Sequence, residues 1–137
     1  MPQLVFADTF YWLALARPRD VWHAATMSWS GQYTSTRIVT TAEVLTEYLN
    51  ALAKAGPAAR AYAVATVRTM RNDPKVDVLP QTQADFDAAL ALYEARPDKQ
   101  YSLVDCRSIL ALRALGITEV LTNDHHFVQE GFSILFP

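Results

Sequence analysis

The sequence has little cysteine and little net charge. Cys106 is the only cysteine in 137 residues, so no disulfide can form within the chain, which fits a reducing compartment. Its place in an apolar helical pattern predicts a buried thiol. The net charge of −2 provides no general basic field, so any binding of nucleic acid has to depend on a local patch. Charge alone therefore indicates no partner.

The sequence also lacks the motifs of several large enzyme classes. It contains no G-x-S-x-G, no P-loop and no G-x-G-x-x-G, which removes the motif-based case for acyl transfer, nucleoside triphosphate cleavage and dinucleotide binding. The apolar stretch at residues 1–20 has no basic leader, carries Asp8 in its middle and is too short between charges to span a bilayer. We therefore expect a cytoplasmic protein without a membrane segment.

Strand and helix patterns alternate along a length that fits one domain. Short β-type runs predict strands at residues 4–7, 34–41, 76–80, 119–122 and 132–136. Helical patterns fill the intervals, and this order predicts an α/β fold, a three-layer α/β/α sandwich with a central, largely parallel sheet. No repeat or linker interrupts it, so residues 1–137 are predicted to form one domain.

Capping residues predict several helix boundaries. Asp20 is expected to cap a second helix that ends at Gly31. The helix after the second strand is expected to close on Gly56, and Pro57 to open the next one. Thr82 is the expected cap of the helix that follows the third strand.

Four carboxylates lie at strand ends or in the helices that follow. Asp8 and Asp124 follow the first and fourth strands, Glu47 lies in the helix after the second strand, and Asp105 is early in a late helix. The carboxyl ends of parallel strands form one ligand-binding edge, so these acids could meet in a single pocket. Crowded carboxylates repel unless a cation neutralises them, and hard oxygen ligands select Mg2+ or Mn2+. Such a site suits phosphodiester hydrolysis.

Each acid also has a purely structural interpretation. Asp8 could cap the helix that follows it, and Asp124 could cap a short turn. Ser102 and Asp105 match a capping box, which is the stronger interpretation of that pair in isolation. Glu47 could be an ordinary solvated helix residue. Only the four acids together favour a metal site.

The histidines do not predict a zinc site. His125 and His126 are adjacent, so their side chains diverge and cannot readily share one ion. His23 lies beside Trp22 in the second predicted helix, where a packed or half-exposed histidine is the expected state. A histidine after Asp124 is kept as a candidate for facing a substrate.

Three stretches carry a family resemblance: "LVFADTFYWLALA", "IVTTAEVLTEYLNAL" and "YSLVDCRSILALRALGITEVLTNDHHFVQEGFSIL". They resemble the PIN domain, the ribonuclease domain of VapC-type toxins. The resemblance implies that Asp8, Asp105 and Asp124 hold Mg2+ or Mn2+ for cleavage of RNA. It also implies a small cognate antitoxin and a homodimer. A housekeeping RNA-processing PIN nuclease and a Mg2+ phosphatase with an acidic site are the alternatives.

The family's second acid is a glutamate in the helix after strand two, where this chain offers Glu43 and Glu47. Position from the strand end favours Glu47. At roughly 100° per residue, Glu47 lies about 130° from the centre of the helix's apolar stripe, whereas Glu43 lies about 170° away. Glu43 is therefore predicted to face solvent.

Several neighbouring residues are weaker candidates for supporting the acids or contacting the substrate. Thr122 and Asn123 are expected to set the loop that carries Asp124. Arg107 and Arg113 are weak candidates for phosphate contacts. The full set of supporting candidates is Thr9, Glu43, Ser102, Thr122, Asn123 and His126.

Overall fold

A five-stranded parallel sheet forms the centre of the computed structural model, which describes residues 3–137. The strand order is β3-β2-β1-β4-β5, and every neighbouring pair runs parallel. The prediction of a largely parallel sheet is confirmed. The strands are β1 (Leu4–Ala7), β2 (Arg37–Thr41), β3 (Val76–Leu79), β4 (Glu119–Leu121) and β5 (Ser133–Ile134).

Seven helices of the described chain flank the sheet and complete the predicted α/β/α sandwich. No helix within residues 3–137 combines the length and the apolar character that crossing a membrane requires. The helices are α1 (Thr9–Ala16), α2 (His23–Gln32), α3 (Ala42–Ala51), α4 (Pro57–Asn72), α5 (Gln83–Ala95), α6 (Leu103–Leu115) and α7 (His126–Gln129).

Every residue of the central strand β1 is apolar because both faces of the strand are covered. Val5, Phe6 and Ala7 of β1 have no exposed surface, and β1 lies between β2 and β4. A strand covered on both sides needs a continuous apolar run rather than alternation. Tyr48 of α3 and Ile109 of α6 are equally buried in the same core. The carboxyl end of β1 is thereby anchored where Asp8 follows it.

Two predicted boundaries of α2 are wrong, whereas the predicted cap of α5 is confirmed. The Asp20 carboxylate accepts a hydrogen bond from the Trp22 backbone N–H at 2.8 Å, so a local turn uses it and α2 begins only at His23. Gly31 lies inside the last turn of α2, which ends one residue later. The Thr82 hydroxyl accepts from the Asp85 backbone N–H at 3.1 Å, as a cap should.

Three further segments are shorter than predicted by more than one residue, and the first of them, β2, begins only at Arg37 of the predicted residues 34–41. α3 ends at Ala51, and Gly56, with a φ of 102°, is the N-cap of α4 because that angle lies outside the helical region. β5 covers only Ser133–Ile134 of the predicted residues 132–136, since its single neighbour β4 has three residues to pair with.

The end of α6 depends on a left-handed residue. Gly116 has a φ of 66° and its backbone N–H donates to the carbonyls of Leu112 and Arg113. Ile117 continues the cap by donating to the Leu112 carbonyl at 2.9 Å. This is the αL termination that glycine favours, because a Cβ is disfavoured in that region.

Gly116→Ala should lower the melting temperature by about 3–5 °C, since a side chain in the left-handed region costs about 1 kcal/mol. An added Cβ at Gly116 would meet no atom within 4 Å, so backbone conformation is the whole effect. Gly31→Ala is the matched control: its Cβ is equally unobstructed, it lies in a helix, and alanine should hold or raise the melting temperature. Equal melting temperatures for the two variants would contradict this interpretation of the α6 cap.

Candidate functional site

The structure brings the four acids into one cleft at the carboxyl edge of the sheet. The cleft has a volume of about 470 Å³ and is lined by Asp8, Glu47, Asp105 and Asp124. Asp8 and Asp124 follow the paired strands β1 and β4, while α3 and α6 supply the other two. Four separate segments of the chain thus deliver one carboxylate each.

Asp8 is the most buried of these acids. Its residue surface is only 6% exposed, and burial, followed by the charge of Asp105, raises the pKa of its carboxyl to about 7. The Thr122 hydroxyl donates to its Oδ2 at 2.9 Å. Asp8 occupies the N-cap position of α1, but its side chain makes no cap hydrogen bond. Its carboxylate is therefore directed into the cleft rather than used by the helix.

Asp105 has a structural role and also lines the cleft. Its backbone N–H donates to the Ser102 hydroxyl at 3.0 Å, and its Oδ2 accepts from the Ser102 backbone N–H at 2.9 Å, so the capping box is present. Burial is the main cause that raises the pKa of this carboxyl, and the charge of Asp124 adds to it. The capping bond fixes the carboxylate in position without removing it from the other acids.

Thr122 connects two of the acids. Besides donating to Asp8, its hydroxyl accepts from the Asp124 backbone N–H at 3.1 Å. Asp124 in turn accepts at Oδ1 from the His126 backbone N–H at 2.9 Å, which is the turn expected after β4. Asn123 donates from Nδ2 to the Phe136 carbonyl at 2.6 Å and holds the loop against the C-terminal segment.

His126 is closer to the acids than the sequence indicated. Its Nδ1 lies 3.3 Å from Asp124 Oδ1 and 3.6 Å from Asp105 Oδ2. Ligand atoms of these three residues all lie within 4.8 Å of one another. Nδ1 is buried and has no hydrogen-bond partner among the described residues. The sequence predicted His126 as a supporting or substrate-facing residue and not as a partner of these acids. Its position two residues after Asp124 was the signal for this mixed set.

The two glutamates of α3 have different partners. Glu47 lines the acid cleft, and the Thr9 hydroxyl donates to its Oε1. The Glu43 side chain is only 14% exposed, and its Oε2 accepts from Arg107 Nε at 2.8 Å. The prediction that Glu43 faces solvent is wrong, because α6 packs beside α3 and brings Arg107 to it.

The two arginines considered for phosphate contacts are both paired within the chain. Arg107 is 7% exposed and lies between Glu43 and Asp85, with Nη2 of Arg107 3.4 Å from Asp85 Oδ2. Arg113 Nη2 donates to Glu130 Oε1 at 2.8 Å. Arg107 is compensated by two carboxylates and offers no free charge to a phosphate, so that candidate was wrong. Arg113 shares Glu130 with Arg96, and its contact with a phosphate stays a prediction.

Comparison with known proteins identifies the family of this chain. A family model of the PIN domain matches residues 5–132. The chain belongs to the PIN domain family. A crystal structure of Mycobacterium tuberculosis VapC20, described as a Sarcin-Ricin loop cleaving toxin, matches with a TM-score of 0.80 and 26% identity over 93% of this chain and 95% of that chain. No curated protein sequence matches significantly. The predicted resemblance to VapC-type PIN domains is confirmed.

The donor set of this PIN domain fits a hard divalent ion. Carboxylate oxygens dominate, as Mg2+ and Mn2+ prefer, and an imidazole nitrogen is compatible with Mn2+. Two of the acids have a raised pKa because burial and mutual repulsion disfavour their charged forms. A cation between them would remove that penalty. The unpartnered Nδ1 of His126 belongs to the group that it forms with Asp105 and Asp124, whose ligand atoms lie within 4.8 Å of one another.

The raised pKa of Asp8 predicts a pH dependence of stability in the metal-free protein. The unfolded carboxyl loses its proton near pH 3.8, whereas the folded one keeps it to about pH 7. Between these values the folded state binds more protons, so the free energy of unfolding falls as pH rises, by at most about 4 kcal/mol. Melting curves in chelator should show this fall between about pH 4 and about pH 7.

Asp8→Asn stays neutral and should remove most of that slope, leaving a higher melting temperature than the unsubstituted protein at neutral pH. Asp87→Asn, an exposed position on α5, is the control and should keep the slope. The same pH dependence in Asp8→Asn and Asp87→Asn would show that the Asp8 carboxyl does not cause the fall of stability with pH in the metal-free fold.

Proposed function

We propose that this chain is a divalent-metal-dependent endoribonuclease, the toxin of a VapBC-type pair. The observation that carries the proposal is the convergence of four carboxylates from four segments in one cleft. Membership of the PIN domain family supports nuclease chemistry. The likeness to a toxin that cleaves the sarcin–ricin loop supports RNA as the class of substrate.

In this proposal Asp8, Asp105 and Asp124, with His126 beside them, hold the ion. When bound, Mg2+ or Mn2+ supplies positive charge for the phosphate oxygens and lowers the pKa of the attacking water. Thr122 and Ser102 keep Asp8 and Asp105 in position through the hydrogen bonds described above.

Glu47 is proposed as the proton acceptor. Thr9 donates to its Oε1, which leaves Oε2 to accept a proton from water as that water attacks phosphorus. The side chain reaches the cleft from α3, whereas Asp105 and Asp124 reach it from α6 and the β4 end. The phosphate would lie between these groups.

RNA cleavage by the purified protein should stop in EDTA and return with added Mg2+ or Mn2+, because the acids repel the phosphate when no cation neutralises them. The measurement is gel analysis of end-labelled single-stranded or looped RNA. A phosphomonoester supplied in parallel tests the phosphatase alternative. Internal RNA cuts that persist in chelator would overturn the metal mechanism, and phosphate release without RNA cleavage would favour the phosphatase.

Glu47→Gln should lower kcat by about 100-fold or more with little change in melting temperature, since the amide keeps the shape and loses the basic oxygen. Glu43→Gln should show the opposite pattern. It removes the charge that compensates the buried Arg107, so the melting temperature should fall while kcat, measured well below melting, stays nearly unchanged. An inactive Glu43→Gln beside an active Glu47→Gln would reverse the assignment.

The cognate antitoxin and the homodimer stay predictions from the family resemblance. A housekeeping nuclease of the same fold would use the same acids, so the site does not separate the two roles. Growth arrest on expression, relieved by co-expressing the gene immediately upstream, would support the toxin role.

A further inference from the structure

A second cavity opens beside the acid cleft. It has a volume of about 310 Å³ and lies between α3, α5 and α6. Glu47 lines both this cavity and the acid cleft, so the two are adjacent at the proposed proton acceptor. Whatever occupies the second cavity lies next to the reacting phosphate.

We propose that this cavity binds one nucleobase of the RNA, adjacent to the phosphate that is cleaved. The inference rests on the proposed ribonuclease function and adds a subsite to it. The volume is at the small end of ligand pockets, which suits a single base rather than a longer segment. We call it the base pocket.

The walls of the base pocket suit a flat aromatic ligand. Phe86 of α5 is 44% exposed although it is a large apolar residue, and its ring lines the cavity. Ala89 of α5 and Leu103 and Val104 of α6 provide further apolar wall. Unstacked RNA bases are commonly bound by stacking on such aromatic side chains.

The charges around the pocket favour a neutral base over a second phosphate. Arg107 lines the cavity, but its guanidinium is paired with Glu43 at 2.8 Å and with Asp85 at 3.4 Å. The remaining charged lining residue, Glu47, is an acid. A phosphate placed here would meet no uncompensated positive charge, whereas a base adds no charge at all.

Polar groups at the rim can contact the edge of a base. Asn50 of α3 and Gln81, just after β3, both line the cavity and are exposed. A side-chain amide donates and accepts hydrogen bonds, as the edges of all bases do. The aromatic wall would thus supply affinity, and the amides would supply orientation.

The experiment compares three proteins and two RNAs. The proteins are the unsubstituted chain, Phe86→Ala, and Tyr93→Ala as the matched control, because Tyr93 is another half-exposed aromatic on α5 and does not line the pocket. The RNAs are a short single strand with a mapped cleavage site and the same strand with an abasic residue beside that site, scanned over the flanking positions. Binding is measured by fluorescence anisotropy in Ca2+, which neutralises the acids, and cleavage is measured in Mg2+.

One flanking abasic position should raise the Kd and the KM about 10-fold for the unsubstituted protein and for Tyr93→Ala. The Kd of Phe86→Ala for the intact RNA should be about as high as the Kd of the other two proteins for the abasic RNA. Replacing the intact RNA by the abasic one should raise the Kd of Phe86→Ala little further. The melting temperature of Phe86→Ala should change little, since the ring is half exposed.

An abasic penalty of the same size in Phe86→Ala would overturn the base pocket while leaving the ribonuclease proposal intact. Unchanged RNA binding in Phe86→Ala would do the same. Absence of RNA cleavage by the unsubstituted protein would instead contradict the proposed function. The binding arm needs no cleavage, so a base penalty that depends on Phe86 would still support the pocket.

Discussion

Mutual repulsion among buried carboxylates is the constraint on which the rest of this structure depends. Parallel strands deliver their carboxyl ends to one edge, and the paired strands β1 and β4 place Asp8 and Asp124 there side by side. Asp105 and Glu47 approach from helices on the sheet. Burial makes the repulsion stronger than it would be in water. Burial is the first cause that raises the pKa of Asp8 to about 7, and the charge of Asp105 is the second.

Neutral hydrogen-bond donors hold these acids in place without cancelling their charge. Thr122, Thr9 and Ser102 each donate to one of them, through two hydroxyls and a backbone N–H. In contrast, the nearby Glu43 is neutralised by Arg107. Within residues 3–137 an arginine thus compensates the acid beside the cleft, whereas no lysine or arginine forms an ion pair with the acids inside it. That contrast is what favours an added cation there.

The parallel sheet and the convergence of the acids could be predicted from the sequence, because both follow from apolar runs and from residues at strand ends. Asp105 shows the limit of local patterns: its capping box is real, yet the same side chain lines the cleft. A motif identifies one hydrogen bond and does not exclude a second role. Thr82 was predictable as a cap because only adjacent residues are involved.

Contacts between distant segments were not predictable. Glu43 was assigned to solvent from the apolar stripe of its own helix, but its environment is set by Arg107, 64 residues further along the chain. His126 was predicted as a supporting or substrate-facing residue and not as part of a ligand set, whereas the turn after β4 directs its Nδ1 toward Asp105 and Asp124. The length of β5 likewise depends on its neighbour β4. Each of these three misses involves a partner outside the local segment.

The central claim is that a divalent ion relieves the repulsion, and the shift of melting temperature with added Mn2+ tests it most directly. An ion that binds only the folded state stabilises it in proportion to the logarithm of its concentration. Asp105→Asn retains an oxygen to accept from the Ser102 backbone N–H, so its fold should persist. The account predicts a rise of several degrees for the unsubstituted protein and little or none for Asp105→Asn. No shift in the unsubstituted protein, or an equal shift in both, would contradict it.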